Sequence, residues 1–241
     1  MPYDQYRPQT ATSGAKVIDA GLQVFMRSVF NTMGFGLVVT GVTAYGVANI
    51  PALFDLVFGN RLVHLAAVFA PLIFLWLGFS PQKIQRMPAQ KLKSSFIFFS
   101  VLMGLSMSAI FRVYDTVSIA QTFFITAATF AGMSLIGYTT KRDLSAMGSF
   151  FIMGVLGIFV ASIVNLFMHS AALQFVISII GVVAFTGLIA WDVQRLKETY
   201  AYAHGMEEGN AKLAVMGALS LYLNFINLFQ FLLSLTGGSR D

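Results

Sequence analysis

Seven long apolar runs, separated by short polar segments, organise the chain. They span approximately Phe25–Val47, Leu62–Phe79, Ser94–Phe111, Val117–Tyr138, Gly148–Phe167, Ala171–Trp191 and Leu213–Leu235. Each is close to the ~20 residues that an α-helix needs to cross ~30 Å of hydrocarbon. Lipid offers backbone N–H and C=O groups no partner, so such runs must be helices unless they close a barrel. The period-two alternation of barrel strands is absent. The pattern therefore predicts an all-α, polytopic membrane protein with seven transmembrane helices. Residues 1–20 read as a disordered cytosolic tail, 21–237 as the transmembrane domain and 238–241 as a short tail. The first run lies too far from the start, and lacks the basic flank, to read as a cleaved signal, so it is expected to be a retained helix.

Composition agrees. Of 241 residues, 57% are apolar and only 10% charged, against about 25% charged in an ordinary soluble domain; mean hydropathy is +0.76. There are too few charges to coat a globule. The net charge of +5 would suggest nucleic acid in a soluble chain. Here the cations sit in short loops, with no basic stripe or RNA-binding motif, so no nucleic-acid partner is expected. Cysteine is absent, which removes disulfides, thiol catalysis and thiolate metal sites.

The basic residues also set an orientation. If the N-terminus is inside, Arg7, Lys16, Arg27, Lys83, Arg86, Lys91, Lys93, Lys141, Arg142, Arg195, Lys197 and Lys212 are internal, and Arg61, Arg112 and Arg240 external. That asymmetry predicts a cytosolic N-terminus and, after seven crossings, an external C-terminus. Trp76, Tyr138 and Trp191 then fall at inner helix ends, as an aromatic belt does. Small residues mark expected contact faces: Ser100, Gly104 and Ser108 on the third helix, Gly34 and Gly41 on the first, Gly154 and Gly157 on the fifth.

One acidic residue, Asp192, lies against a long apolar run. A carboxylate at a helix centre costs about 2.5–3.5 kcal/mol on insertion scales, so it needs a partner, a water cavity or a proton. Position alone leaves open a solvated interfacial residue paired with Arg195 one turn on. On the seventh helix Gly217, Ser220, Asn224 and Asn227 share one face, opposite Leu221, Leu223, Phe225 and Leu228. A polar stripe there faces the bundle interior or serves as interhelical hydrogen-bonding glue. The first helix has a similar face in Arg27, Asn31 and Gly34, although Arg27 suits snorkelling to the inner surface. His64 and His169 fall near the outer face and His204 in an inner loop, unpaired at helical spacing, and no His-Glu-x-x-His, P-loop or Ser/His/Asp pattern occurs. An enzyme is not expected.

Three segments resemble a known family. Gly137-Tyr138-Thr139-Thr140-Lys141-Arg142-Asp143-Leu144-Ser145 looks like its loop signature. Trp191-Asp192-Val193-Gln194-Arg195-Leu196-Lys197 is similar to the end of its sixth helix. Ala218-Leu219-Ser220-Leu221-Tyr222-Leu223-Asn224-Phe225-Ile226-Asn227-Leu228-Phe229 is close to its last-helix motif. Over about Phe25 to Leu235 the chain resembles the bacterial branch of the Bax inhibitor-1 family of transmembrane Bax-inhibitor-motif proteins. The resemblance implies six helices surrounding a central C-terminal helix, a calcium-permeable, pH-sensitive leak in the cell inner membrane, and a proton-sharing pair of aspartates on the sixth and last helices. The first aspartate maps to Asp192; the second maps to Asn224.

That departure alters the expected chemistry. Two nearby carboxylates in low dielectric share a proton and titrate as a pair. Asn is a permanently uncharged analogue of a protonated Asp with added amide donors. The expected ion pathway and pH-sensing residues are thus Asp192, Asn224, Asn227 and Ser220, with gating shifted or blunted relative to the family. Calcium prefers several hard oxygen ligands. Asp192 with the side-chain carbonyls of Asn224 and Asn227 forms only a weak, transient calcium site, and no resident cofactor is expected. In the loop motif, Asp143 is expected to cap the fifth helix or pair with Lys141 or Arg142, with a cytosolic gate role as the alternative. Expected partners are the lipid bilayer and the calcium ion. The runner-up reading is an interaction protein that modulates an ATP-dependent membrane protease, docking through residues 1–16 and the basic loop from Lys83 to Lys93.

Overall fold

Hydrocarbon leaves each crossing segment one way to satisfy its backbone, and the computed structural model is helical throughout its length. It describes residues 10–202 and 207–238. The helices are α1 (Thr10–Asn49), α2 (Pro51–Phe58), α3 (Arg61–Gly78), α4 (Pro81–Arg86), α5 (Ala89–Met107), α6 (Ile110–Val113), α7 (Thr116–Thr139), α8 (Ser145–Met168), α9 (Ala171–Tyr202) and α10 (Glu207–Thr236), and no strand occurs among the described residues. Pro51 and Pro81 open α2 and α4 at positions where a missing N–H costs nothing. Seven helical segments are long and apolar enough to cross a membrane: Ala20–Asn49, Arg61–Gly78, Ala89–Val113, Thr116–Thr139, Ser145–Met168, Ala171–Ala201 and Glu207–Thr236.

The tail expected to be disordered over residues 1–20 is helical from Thr10 onward; residues 1–9 lie outside the described residues. At the other end Gly238 is tied down: its N–H donates to Ser118 Oγ (3.1 Å) and its carbonyl accepts from Asp115 N (3.2 Å). Residues 239–241 and His204 lie outside the described residues. The helices outrun the apolar runs because hydropathy reports where lipid ends, while backbone hydrogen bonding continues past it.

The last helix is the most enclosed span. It packs chiefly against α1, α5, α7 and α9, whereas α3 packs mainly on α5, and α8 on α9. Its principal neighbours are thus four spans, with the second and fifth crossings set outside them. Tyr222, Leu221 and Leu228 of α10 are completely buried, as are Leu92 and Phe96 of α5 and Val193 of α9. Conversely, Phe150, Met153, Leu156 and Phe159 of α8 are exposed, because lipid solvates them as well as a protein core would.

Polar groups in this core are satisfied between helices. Thr40 Oγ1 lies 2.6 Å from Tyr222 Oη, 3.0 Å from the Ser100 carbonyl and 3.0 Å from the Gly36 carbonyl. Two of those neighbours are pure acceptors, so the Thr40 proton goes to a carbonyl and Tyr222 donates to Thr40. The node joins α1, α5 and α10. Close approach makes it possible: a Cβ on Gly104 would stand 2.6 Å from the Thr40 carbonyl oxygen and 2.6 Å from Thr43 Cβ, and one on Gly36 would strike the Phe96 ring. Gly34, Gly41 and Gly157 have nothing within 4 Å of such a carbon, and Gly154 only Ala184 Cβ at 3.9 Å. The contact face expected on the third helix at Gly104 is thus present, with Gly36 rather than Gly34 or Gly41 opposite it on α1, whereas Gly154 and Gly157 make no close contact. Gly104→Val should cost about 1–3 kcal/mol through overpacking, while Gly34→Ala should stay within about 0.5 kcal/mol. Thermal unfolding of the detergent-solubilised variants tests the contrast.

Candidate functional site

Asp192 occupies the C-terminal third of α9, where the helix passes between α7, α8 and α10. Glycines bring all three neighbours close. A Cβ on Gly137 of α7 would meet the Ala190 carbonyl, one on Gly148 of α8 the Trp191 indole, and one on Gly217 of α10 the Leu196 side chain. The acid is consequently enclosed, with 8% of its surface exposed.

Its hydrogen-bond donors come from α10. Ser220 Oγ donates to Asp192 Oδ2 at 2.6 Å, and Asn224 Nδ2 donates to the same oxygen at 2.7 Å. Ser220 and Asn224 are one turn apart, so both reach a single point on α9. Asn224 is itself buried. Both bonds are short, as bonds to an ionised acceptor are. Arg195, offered by the sequence as a partner, instead places its guanidinium carbon 5.3 Å from the Trp191 ring centroid. The carboxylate is therefore held by neutral donors.

Asn227 does not join this constellation. Its Nδ2 donates to the Leu223 carbonyl of its own helix at 2.8 Å. It sits about 4.5 Å further along the axis than Asn224, beyond the turn that faces Asp192. Asn224 turns its amide nitrogen, not its carbonyl, towards the acid. The expected calcium ligands are thus not gathered around Asp192, and among the described residues no group of three or more His, Asp or Glu side chains is placed to hold a metal.

The next turns of α9 organise the loop between α7 and α8. Gln194 Nε2 donates to the Arg142 carbonyl at 2.7 Å, and Gln194 Oε1 accepts from Leu144 N at 2.8 Å. Lys197 Nζ donates to the Tyr138 carbonyl at 2.9 Å, satisfying a free acceptor at the end of α7. Arg142 thus contributes its backbone. Asp143 Oδ1 accepts from Ser145 N at 2.8 Å, an Asx turn at the start of α8. The Ser145 side chain and amide hold the fully exposed Asp143 carboxyl below its ordinary value of 3.8.

Gln194 and Lys197 were not singled out in the sequence as functional, although both lie inside the Trp191–Lys197 motif. Their partners are backbone atoms, which leave no side-chain pattern to read. Gln194→Ala orphans a buried N–H and a carbonyl, so it should cost about 1–3 kcal/mol and speed amide hydrogen exchange at residues 140–144. Ser220→Ala removes one bond to a charged acceptor and should cost about 1.5–3 kcal/mol, measured by thermal unfolding at neutral pH.

Comparison with known proteins places this arrangement in context. The family described as inhibitor of apoptosis-promoting Bax1 matches residues 22–241. An uncharacterized protein of Caulobacter vibrioides is 46% identical over 233 residues, covering 93% of this chain and 92% of its own. The Rickettsia prowazekii protein RP147 is 42% identical over 241 residues, covering 99% of each chain. Inner membrane protein YbhL of Escherichia coli K12 is 41% identical over 222 residues, covering 92% of this chain and 94% of its own. A match that takes in all seven crossings and the Asp192 site makes this chain a member of the Bax inhibitor-1 family.

Proposed function

We propose that this protein is a calcium-permeable ion leak of the cell inner membrane, influenced by pH, with a cytosolic N-terminus and an external C-terminus. The observation that carries the reading is the enclosed Asp192 carboxylate bonded across the α9–α10 interface to Ser220 and Asn224. An anion is expensive at this position, and a purely structural contact would use cheaper groups. The distribution of Lys and Arg supports the orientation.

In the conformation described, the centre of the bundle is closed by fully buried Tyr222, Leu221 and Leu228. Conduction therefore requires α10 to part from its neighbours, and the bonds to Asp192 oppose that. Protonation turns charge-assisted bonds into neutral ones about half as strong. The strength of the α9–α10 link, and with it the leak, thus follows the charge on Asp192. Calcium is cargo here. Asp192 supplies a transient hard ligand once Ser220 and Asn224 let go.

Purified protein in calcium-loaded liposomes tests the proposal. Asp192→Ala should abolish efflux while the fold persists by circular dichroism; efflux unchanged by this substitution overturns the reading. Asn224→Asp should restore a coupled carboxylate pair and steepen the pH dependence between roughly pH 6 and 8. Identical titration of the two forms excludes proton sharing. Asp143→Asn serves as the control. A carboxyl with a lowered folded pKa keeps its cap at neutral pH and loses it only as pH falls through that lowered value. This variant should therefore leave the near-neutral profile unchanged.

A further inference from the structure

Two cations and a run of unpaired polar side chains share a groove between α1 and α5. Arg27, Ser28, Asn31 and Thr32 line one wall, Lys93 and Ile97 the other, around ≈ 760 Å³ of space. Arg27, Ser28, Asn31 and Lys93 are exposed. Among the described residues no acidic side chain lines the groove.

The position makes this unusual. Arg27 lies at the start of the first apolar run, which begins near Phe25, and Asn31 and Thr32 about a turn deeper. Lys93 is in the first turns of α5, at the same end of the bundle. Asn31 and Thr32 thus stand about a turn inside the first apolar run and line a groove that opens outward. An outward-facing amide or hydroxyl in hydrocarbon is costly unless something polar meets it. The Thr32 side chain is 7% exposed, and its remaining opening is into this groove. Snorkelling accounts for Arg27. Asn31 and Thr32 are too short to snorkel.

We infer that this groove is a binding site for the head group of an anionic phospholipid. Arg27 and Lys93 supply the charge for a lipid phosphate, and Arg27 can hold it with two parallel N–H bonds. Ser28, Asn31 and Thr32 donate to head-group and ester oxygens below it. Val24, Phe35 and Ile97 flank the groove with apolar surface for the acyl chains. Basic pockets between transmembrane helices at the membrane surface suit such head groups. The inference is independent of the leak, since it uses only the placement of α1 and α5 in the membrane.

Native mass spectrometry of the detergent-solubilised full chain, offered phosphatidylglycerol or phosphatidylcholine of equal chain length, tests the site. The wild-type protein should retain phosphatidylglycerol preferentially. Arg27→Gln and Lys93→Gln should each lower that preference about fivefold, whereas Arg86→Gln, on exposed α4 outside the groove, should not. Asn31→Leu keeps every charge and should still weaken retention, which guards against a charge variant that fails to fold. Soluble glycerol phosphate in excess should not displace the lipid, because it lacks acyl chains. Equal retention of the two lipids, an Arg86→Gln effect as large as that of Arg27→Gln, or displacement by glycerol phosphate would overturn the inference.

Discussion

A carboxylate within a membrane-spanning bundle has to be given hydrogen bonds or a proton, and the region around Asp192 is organised by that requirement. Ser220 and Asn224 supply donors at 2.6 and 2.7 Å. Bonds of that length need helix axes close together, and Gly217 on α10 provides the clearance beside Leu196. Gly137 and Gly148 do the same for α7 and α8. The enclosure of the acid, the small residues around it and the closeness of α9 to α10 are thus one arrangement.

The same helix extends that arrangement to the loop between α7 and α8. Within two turns, α9 holds Asp192 for α10, Gln194 for the Arg142–Leu144 backbone, and Lys197 for the end of α7. A displacement of α9 driven by Asp192 is therefore transmitted directly to the α7–α8 connection, because Gln194 is rigidly bonded on both sides of its amide. In a low-dielectric interior such bonds are strong when made and costly when broken, which favours two discrete arrangements over a continuum.

Much of this was legible in the sequence. All seven crossings stand out as apolar runs because lipid tolerates no alternative to helix. The pairing of Asn224 with Asp192 was readable through the resemblance, which maps the second acid of the family's pair to position 224; the residues alone left Arg195 open as the partner. Asn227 shares the stripe, but it turns back on the Leu223 carbonyl of its own helix. Spacing picked out Gly104 but could not separate Gly36, which touches a neighbouring helix, from Gly34 and Gly41, which do not. In lipid both faces of a helix are apolar, so small residues do not identify the partner face. The Thr40–Tyr222 bond depends on which helices are neighbours, and no local pattern encodes that.

The last helix is fastened at both ends. Near its start Glu208 accepts from Ala89 N at 2.7 Å and Lys212 donates to the Gln85 carbonyl at 3.1 Å; past its end Gly238 is bonded to Ser118 and Asp115. A piston stroke along the membrane normal would sever both moorings at once. Rotation about its own long axis would also swing Glu208 and Lys212 off their partners, whereas a bow in its middle would leave both ends in place. The mechanical freedom of α10 is thus that of a beam clamped at both ends, whose middle, carrying Ser220 and Asn224, is the part that can flex towards or away from Asp192.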